Sequence, residues 1–224
     1  MKIETKLKFM QAAWLFGAAF LGLLGILHLL KPEFGPTWRM ISEYEIGDWG
    51  WMMRLAFFCW AAGFIALTIS IWSLLGKVGG IIGKWWLLII GFAVIGAGIF
   101  VTQPITDLVR GSEDKLHSAS GAIMIFTFPF ASTLLARQLS KVWTSIAAKR
   151  RMFWATVLVW IGFLAFFGAI LLYSDQAKTR AYNPEVLIGL PNRFMVITYT
   201  IWLIVVSRLG IAHLRGNKPP TTEV

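Results

Sequence analysis

The polar side chains of this apolar sequence concentrate in the loops after the first, third and fifth apolar runs. The first of these loops contains ISEYEIGDWG at 41–50, and the later ones add further acids, bases and a histidine. Charged groups near hydrocarbon are energetically costly, so they pair with one another or face a wet cavity. We therefore predict one ligand pocket or ion-pair network, formed by Ser42, Glu43, Asp107, His117, Arg193, Arg54 and His28.

Arg193 is the member of this set that most needs a partner. Arg208 follows it by fifteen residues, about 22 Å of helix, whereas the hydrocarbon core is ~30 Å thick. At least one of the two arginines must lie below the interface, snorkel to it, or occupy a protein-lined cavity. Glu43 is the expected counter-ion of Arg193 and Asp107 is the alternative. Snorkelling and direct binding of an anionic ligand remain open.

The same residues can also be read as a catalytic set. His117 is the candidate general acid or base, with Glu43 or Asp107 supporting it, in an enzyme that acts on a lipid. A serine–histidine–acid set drawn from Ser42 or Ser118 is not accompanied by a G-x-S-x-G motif. Binding and catalysis therefore both stay open.

The histidines and the cysteine predict no metal and no cofactor. His28 and His117 are expected at one face and His213 at the other, and no HxxxH, HExxH or CxxC spacing is present. Two histidines on one side cannot supply the paired axial ligands of a membrane haem. The single cysteine, Cys59, lies within an apolar run and cannot form a disulfide framework.

Long apolar runs must position these side chains. The chain is 57% apolar and 14% charged, with a mean hydropathy of +0.68, whereas about a quarter of the residues of a soluble domain are charged. A helix crosses the hydrocarbon with roughly 20 apolar residues. The sequence predicts an all-α polytopic membrane protein whose single domain, 1–224, contains six transmembrane helices at 9–30, 51–76, 85–106, 116–138, 152–174 and 191–213.

The net charge of +10 is unevenly distributed among the loops. The N-terminus, 76–84, 137–151 and the C-terminus together hold thirteen Lys or Arg and two acids, whereas the other loops and their flanks hold eight and nine. The positive-inside rule then places both termini in the cytoplasm and the motif loops on the extracytoplasmic side of the plasma membrane. No soluble domain remains to present a nucleic-acid surface. The expected partners are membrane lipids and, alternatively, another membrane protein.

Pro129 lies well inside the fourth predicted span. Proline has no backbone N–H, so it should kink this helix and free a carbonyl near Ile125. The functional interpretation is a hinge or a pocket wall. The structural one is a packing kink of the kind that membrane helices tolerate.

Three short motifs in the predicted loops and helix ends resemble those of the DUF998 family of prokaryotic membrane proteins. They are Ile41-Ser42-Glu43-Tyr44 with Gly47 and Gly50-Trp51-Met52-Met53, then Gly98-Ile99-Phe100-Val101-Thr102 with Leu116-His117, and finally Gly189-Leu190-Pro191-Asn192-Arg193. The resemblance covers nearly the whole chain and implies the six-span architecture and the location of the site. The family name records an unknown function, so the activity stays open.

The second motif departs from the family pattern. The family reads Phe-Pro-Thr-Asp after the third span, where this chain reads Phe100-Val101-Thr102-Gln103-Pro104. Asp107 is the candidate substitute for the missing acid. A remoter likeness to the Frag1-like six-span proteins implies a lipid-related role by analogy of fold.

These observations predict an integral membrane protein whose extracytoplasmic polar pocket binds a lipid headgroup, an amphiphile or a membrane partner. The alternatives are an enzyme acting on a lipid at that face, and an accessory subunit of a larger membrane complex. In detail, we expect the loop at 41–50 to fold inward as a lid, with Ser42 and Glu43 pointing at His117 and Arg193.

Overall fold

The computed structural model describes residues 1–179 and 181–216; part of the predicted cytoplasmic C-terminus, 217–224, lies outside them. Within these residues, six helices are long and apolar enough to cross a membrane, as predicted for an all-α six-span protein. The helices are α1 (Ile3–Leu30), α2 (Gly50–Ile71), α3 (Val78–Ile99), α4 (Ser112–Val142), α5 (Ile146–Leu172), the short α6 (Ser174–Thr179) and α7 (Gly189–Gly216), with 3₁₀ turns at Ile41–Glu45 and Trp72–Leu74.

The third helix differs most from its predicted bounds. It was expected at 85–106, but α3 ends at Ile99 and begins within 76–84, which was predicted to be a loop. A Cβ on Gly83 would lie 2.9 Å from a side chain of α4, so this glycine allows close helix packing. Beyond Ile99 the chain leaves the helix, and the N–H groups of Thr102 and Gln103 donate to acidic side chains instead.

A buried aromatic cluster joins the middle of α2, α4 and α7. The Phe128 ring lies 5.2 Å from Phe64, 4.6 Å from Tyr199 and 5.4 Å from Trp202 between ring centroids. All four side chains are buried. This cluster fixes the helices whose ends carry the motif residues.

Pro129 lies inside α4, as predicted, and leaves the carbonyl of Ile125 without its helical N–H donor. The Tyr199 hydroxyl of α7 donates to this carbonyl at 2.9 Å. The freed carbonyl therefore has a specific partner on another helix, and Ile125 also lines the cavity described below.

Replacing Tyr199 by phenylalanine should destabilise the protein by about 1–2 kcal/mol, because the Ile125 carbonyl loses the side-chain donor that replaces its helical N–H in an apolar environment. Denaturant unfolding in detergent micelles measures this difference. Tyr173→Phe is the control, since no hydrogen bond of the Tyr173 hydroxyl is found in the described part of the chain. Equal stability of Tyr199→Phe and wild type would contradict the prediction.

Candidate functional site

The segment between α1 and α2, residues 31–49, folds over one end of the helix bundle, and we call it the lid. Its 3₁₀ turn buries the side chains of Ile41, Glu43, Tyr44 and Glu45. Gly47 has a φ of +70°, a conformation that glycine adopts at little steric cost, and it leads the chain into α2. The predicted inward fold of this loop is confirmed.

A buried lysine fixes the lid to the end of α1. The Lys31 ammonium donates to the carbonyl of Ile46 and, at 2.8 Å, to that of Asp48. It also lies 3.7 Å from the exposed Glu33 carboxylate. Because both ends of the lid contact this one cation, the turn between them is held close to the helix ends.

Glu43 connects the lid to the segment after α3. Its side chain is 0% exposed; Oε1 accepts from the N–H of Ile105 at 2.8 Å, and Oε2 accepts from that of Met40 at 2.9 Å. The Arg39 guanidinium lies 2.7 Å from Oε1. Burial raises the pKa of Glu43, whereas the Ile105 N–H and the Arg39 charge oppose that rise. The expected pairing of Glu43 with Arg193 is wrong, because the cation beside Glu43 is Arg39.

Arg193 is 6% exposed and belongs to a second cluster. No carboxylate is among the hydrogen-bond partners of Arg193 in the described part of the chain, so the expected alternative pairing with Asp107 is wrong as well. The guanidinium donates to His28 Nε2 (2.8 Å), the Arg39 carbonyl (2.5 Å), the Gly189 carbonyl (3.1 Å) and the Tyr44 hydroxyl (2.9 Å). Arg193 therefore ties α7 to α1 and to the lid.

The hydrogen bonds of His28 define its protonation state. Its Nδ1 lies 2.7 Å from the carbonyl of Leu24, which only accepts, so Nδ1 carries a hydrogen. Its Nε2 accepts from Arg193 and must carry a lone pair. His28 is consequently a neutral acceptor for a buried guanidinium, and both ring nitrogens are occupied by this role.

A third cluster surrounds Glu45, which is 5% exposed. Its Oε2 accepts from the Thr102 N–H at 3.2 Å and lies 3.4 Å from Nδ1 of His117. That nitrogen is also 2.8 Å from the Phe100 carbonyl. Oε1 of Glu45 has no hydrogen-bond partner among the described residues. Burial raises the pKa of Glu45 to about 8, so this carboxyl group carries a proton at neutral pH.

Asp114, in the first turn of α4, contacts the segment in which the family acid is missing. Its Oδ1 accepts from the Arg110 guanidinium at 2.6 Å, the Thr102 hydroxyl at 3.1 Å and the Gln103 N–H at 2.9 Å. Asp107, the expected substitute, has no side-chain hydrogen bond or ion pair within the described ranges. Asp114 is thus the acid that binds this segment.

Arg54 forms no hydrogen bond to the side chains of these clusters among the described residues. It is exposed on α2, and its Nε donates at 3.0 Å to the carbonyl of Gly98 at the end of α3. A basic side chain in this position satisfies a carbonyl that the helix leaves without a partner. Within the part of the chain that the structure covers, it forms no ion pair, but its charge opposes the rise in the pKa of Glu45, so its place in the network stays a prediction.

The three sequence motifs meet at the lid. The Asn192 amide oxygen accepts from the Ile41 N–H at 3.1 Å. A Cβ on Gly189 would lie 2.6 Å from the Arg39 carbonyl oxygen, so only glycine allows this approach of α7 to the lid. The family model described as a protein of unknown function, DUF998, matches residues 14–209, which include all three motifs. The chain belongs to the DUF998 family. Comparisons with curated proteins and with solved structures give no match.

A cavity of about 330 Å³ lies beneath the lid of this DUF998 protein. This volume falls in the lower part of the range of ligand pockets, ~300–1,000 Å³. Helices α2, α3, α4, α5 and α7 contribute to its walls. Its polar lining includes Ser42, Thr102, Arg110, His117, Ser120 and Asn192, and its apolar lining includes Phe57, Trp60, Met124, Phe126, Phe166, Ile170 and Met195.

The predicted site of this DUF998 protein is therefore divided. Ser42 and His117 line the cavity, whereas Glu43, Arg193 and His28 fix the lid beside it. The predicted site did not include Arg39, Tyr44, Asn192 and Arg110, although Tyr44 and Asn192 are part of the motifs. No group of three or more His, Cys, Asp or Glu that could hold a metal occurs among residues 1–179 and 181–216.

Proposed function

We propose that this protein binds a membrane amphiphile, with the polar headgroup under the lid and the apolar chain between α4 and α5. The proposal includes cytoplasmic termini and a lid on the extracytoplasmic side of the plasma membrane, which the charge asymmetry of the loops supports. The observation that carries it is the cavity, whose lining changes from polar to apolar along its depth.

The order of residues along α4 describes this change. His117 lies near the start of α4, and Phe126 follows it by nine residues, which is about 14 Å along the helix axis. Arg110, Ser42 and Asn192 line the cavity near the lid, and Phe126 lines it from the middle of the bundle. A molecule with one polar and one apolar end matches this arrangement better than a uniformly polar solute does.

The cavity wall between α4 and α5 supports entry from the bilayer. Gly121 and Ile170 line the cavity and are half-exposed, and Phe126 lines it and is exposed. Accessible residues in the cavity wall support a lateral opening at this place. A lipid chain can enter there without crossing the lid.

Gly121→Leu is the experiment that tests the cavity. A Cβ at Gly121 meets no atom within 4 Å, so the leucine side chain can occupy the cavity without displacing the backbone. We expect native mass spectrometry of the detergent-purified protein to detect at least five-fold less bound amphiphile than in wild type. Gly168→Leu is the matched control, because that glycine is equally open but lies on the exposed side of α5, outside the cavity lining.

Two outcomes would contradict the proposal. One is equal amphiphile content in the Gly121→Leu and Gly168→Leu proteins. The other is a wild-type protein that retains no amphiphile when it is extracted from its own membrane in a mild detergent.

Catalysis on a bound lipid is the second candidate, and the contact between His117 and Glu45 beside the cavity favours it. His117 would act as the acid or base, and Glu45 would take the supporting position expected for Glu43 or Asp107. Purified wild type and His117→Ala are incubated with the same lipid panel. Identical products from the two proteins would exclude this role.

An accessory-subunit role would instead give a partner that co-purifies in stoichiometric amounts from native membranes.

A further inference from the structure

A second concave surface lies at the end of the bundle opposite the lid. It is a groove of about 360 Å³ between α5 and α7. Its rim carries three exposed arginines, Arg151, Arg208 and Arg215. Aliphatic side chains, among them Ile204 and Val205, form its floor. We call this surface the arginine groove.

The charge of the arginine groove is not compensated by the described protein. None of Arg151, Arg208 and Arg215 forms an ion pair within residues 1–179 and 181–216. Three like charges at one groove repel one another, and an anion placed between them relieves that repulsion.

Arg208 is held in position by α1. Its guanidinium lies over the Trp14 ring at 5.2 Å from the centroid. This cation–π contact uses no hydrogen-bond acceptor, and the guanidinium donates no hydrogen bond within the described residues, so its N–H groups are available for oxygen acceptors. The side chain is thus already ordered for an anion.

The position of the groove along α7 matches the headgroup layer. Arg193 is fixed at the lid end, and Arg208 lies about 22 Å further along the helix axis. Arg215 lies another ~10 Å beyond Arg208. In a hydrocarbon core of ~30 Å the arginines therefore reach the opposite interface, while Ile204 and Val205 remain at the depth of the acyl chains.

We propose that the arginine groove binds the phosphate headgroup of an anionic phospholipid, with an acyl chain lying on Ile204 and Val205. Guanidinium groups bind phosphate oxygens in a bidentate manner, and basic pockets between membrane helices bind acidic headgroups. This site is separate from the cavity under the lid and does not depend on what that cavity binds.

The test compares Arg151→Gln and Arg208→Gln with Arg150→Gln in the full-length protein. Arg150 is exposed on the same turn of α5 but does not line the groove, so it is the matched control. Native mass spectrometry measures binding of phosphatidylglycerol and of phosphatidylcholine added to the detergent-solubilised protein. We expect at least a five-fold loss of phosphatidylglycerol binding in each groove variant and less than a two-fold loss in Arg150→Gln. Arg208→Lys keeps the charge but loses the bidentate guanidinium, so its binding should lie between that of wild type and that of Arg208→Gln.

Several outcomes would overturn the proposal. Equal losses in Arg150→Gln and Arg208→Gln would mean that only the diffuse basic charge of this end attracts the lipid. Equal binding of both lipids to wild type would remove the anionic preference. Full displacement of the lipid by millimolar inorganic phosphate would identify a free-anion site instead. The circular dichroism of every variant must match that of wild type, and a loss of binding without a loss of fold supports the groove.

Discussion

Replacing Glu43 by alanine is expected to destabilise the protein by about 3–5 kcal/mol, the cost of breaking a buried ion pair from one side. After the substitution, the Arg39 guanidinium has no counter-ion. Its Nε already lacks a hydrogen-bond partner among the described residues of the wild-type protein. It also removes the acceptor of the Ile105 N–H. Denaturant unfolding in mixed micelles measures the loss. The control is Glu33→Ala, an acid in the same lid that is 58% exposed and should cost less than about 1 kcal/mol.

A double variant separates the ion pair from the other effects of the substitution. In the protein with both Arg39→Ala and Glu43→Ala, no unpaired charge remains at this position. We therefore expect the double variant to lose clearly less stability than the two single losses added together. Simple additivity would show that the two side chains are not coupled and would contradict the role assigned to Glu43.

The sequence was sufficient to predict that Arg193 needs polar interaction partners, but it could not identify them. A 3₁₀ turn has three residues per turn, so successive side chains point about 120° apart. Glu43 faces Ile105, Tyr44 faces Arg193, and Glu45 faces Thr102 and His117 in consequence. A prediction based on charge alone selects an acid for Arg193, whereas a neutral phenol and the side chain of His28 satisfy it.

The helices themselves were predictable because length and hydropathy determine what can cross a bilayer. The cavity and the arginine groove were not predictable from the sequence, and the reason is related. Apolar residues surround a membrane helix on every side, since both lipid and neighbouring helices accept them, so periodicity does not reveal which side faces a neighbour. Phe57, Phe126 and Phe166 line one cavity from three helices, and no spacing in the sequence relates them.

The acid missing from the second family motif illustrates the same limit. Asp107 was the nearest acid along the chain, yet Asp114 contacts Thr102 and Gln103. The chain turns back between these segments, so an acid at the start of α4 reaches residues twelve positions earlier. Proximity in sequence was a poor guide because the loop brings its two ends together.

The stability of the wild-type protein is expected to fall as the pH rises from about 5 to about 8.5, because of Glu45. Its pKa is about 8 in the folded protein against an ordinary value of 4.5, so between these values the folded state binds a proton that the unfolded state releases. Folding is then favoured at the acidic end of this range and loses that contribution as the pH passes the folded value. The loss has an upper bound of ~5 kcal/mol, at 1.36 kcal/mol per pKa unit.

Glu45→Gln isolates this effect, because an amide replaces the protonated carboxyl in shape and does not titrate. We expect the variant to show a much flatter dependence of stability on pH and to be more stable than wild type at pH ~8.5. Burial also raises the pKa of Glu43, so the contribution of that carboxyl to any remaining slope has the same sign. Glu113→Gln, an exposed acid in the first turn of α4, is the control and should follow the wild-type curve. If Glu45→Gln follows that curve too, Glu45 is not the group that keeps its proton, and the buried carboxyl beside His117 must be charged at neutral pH.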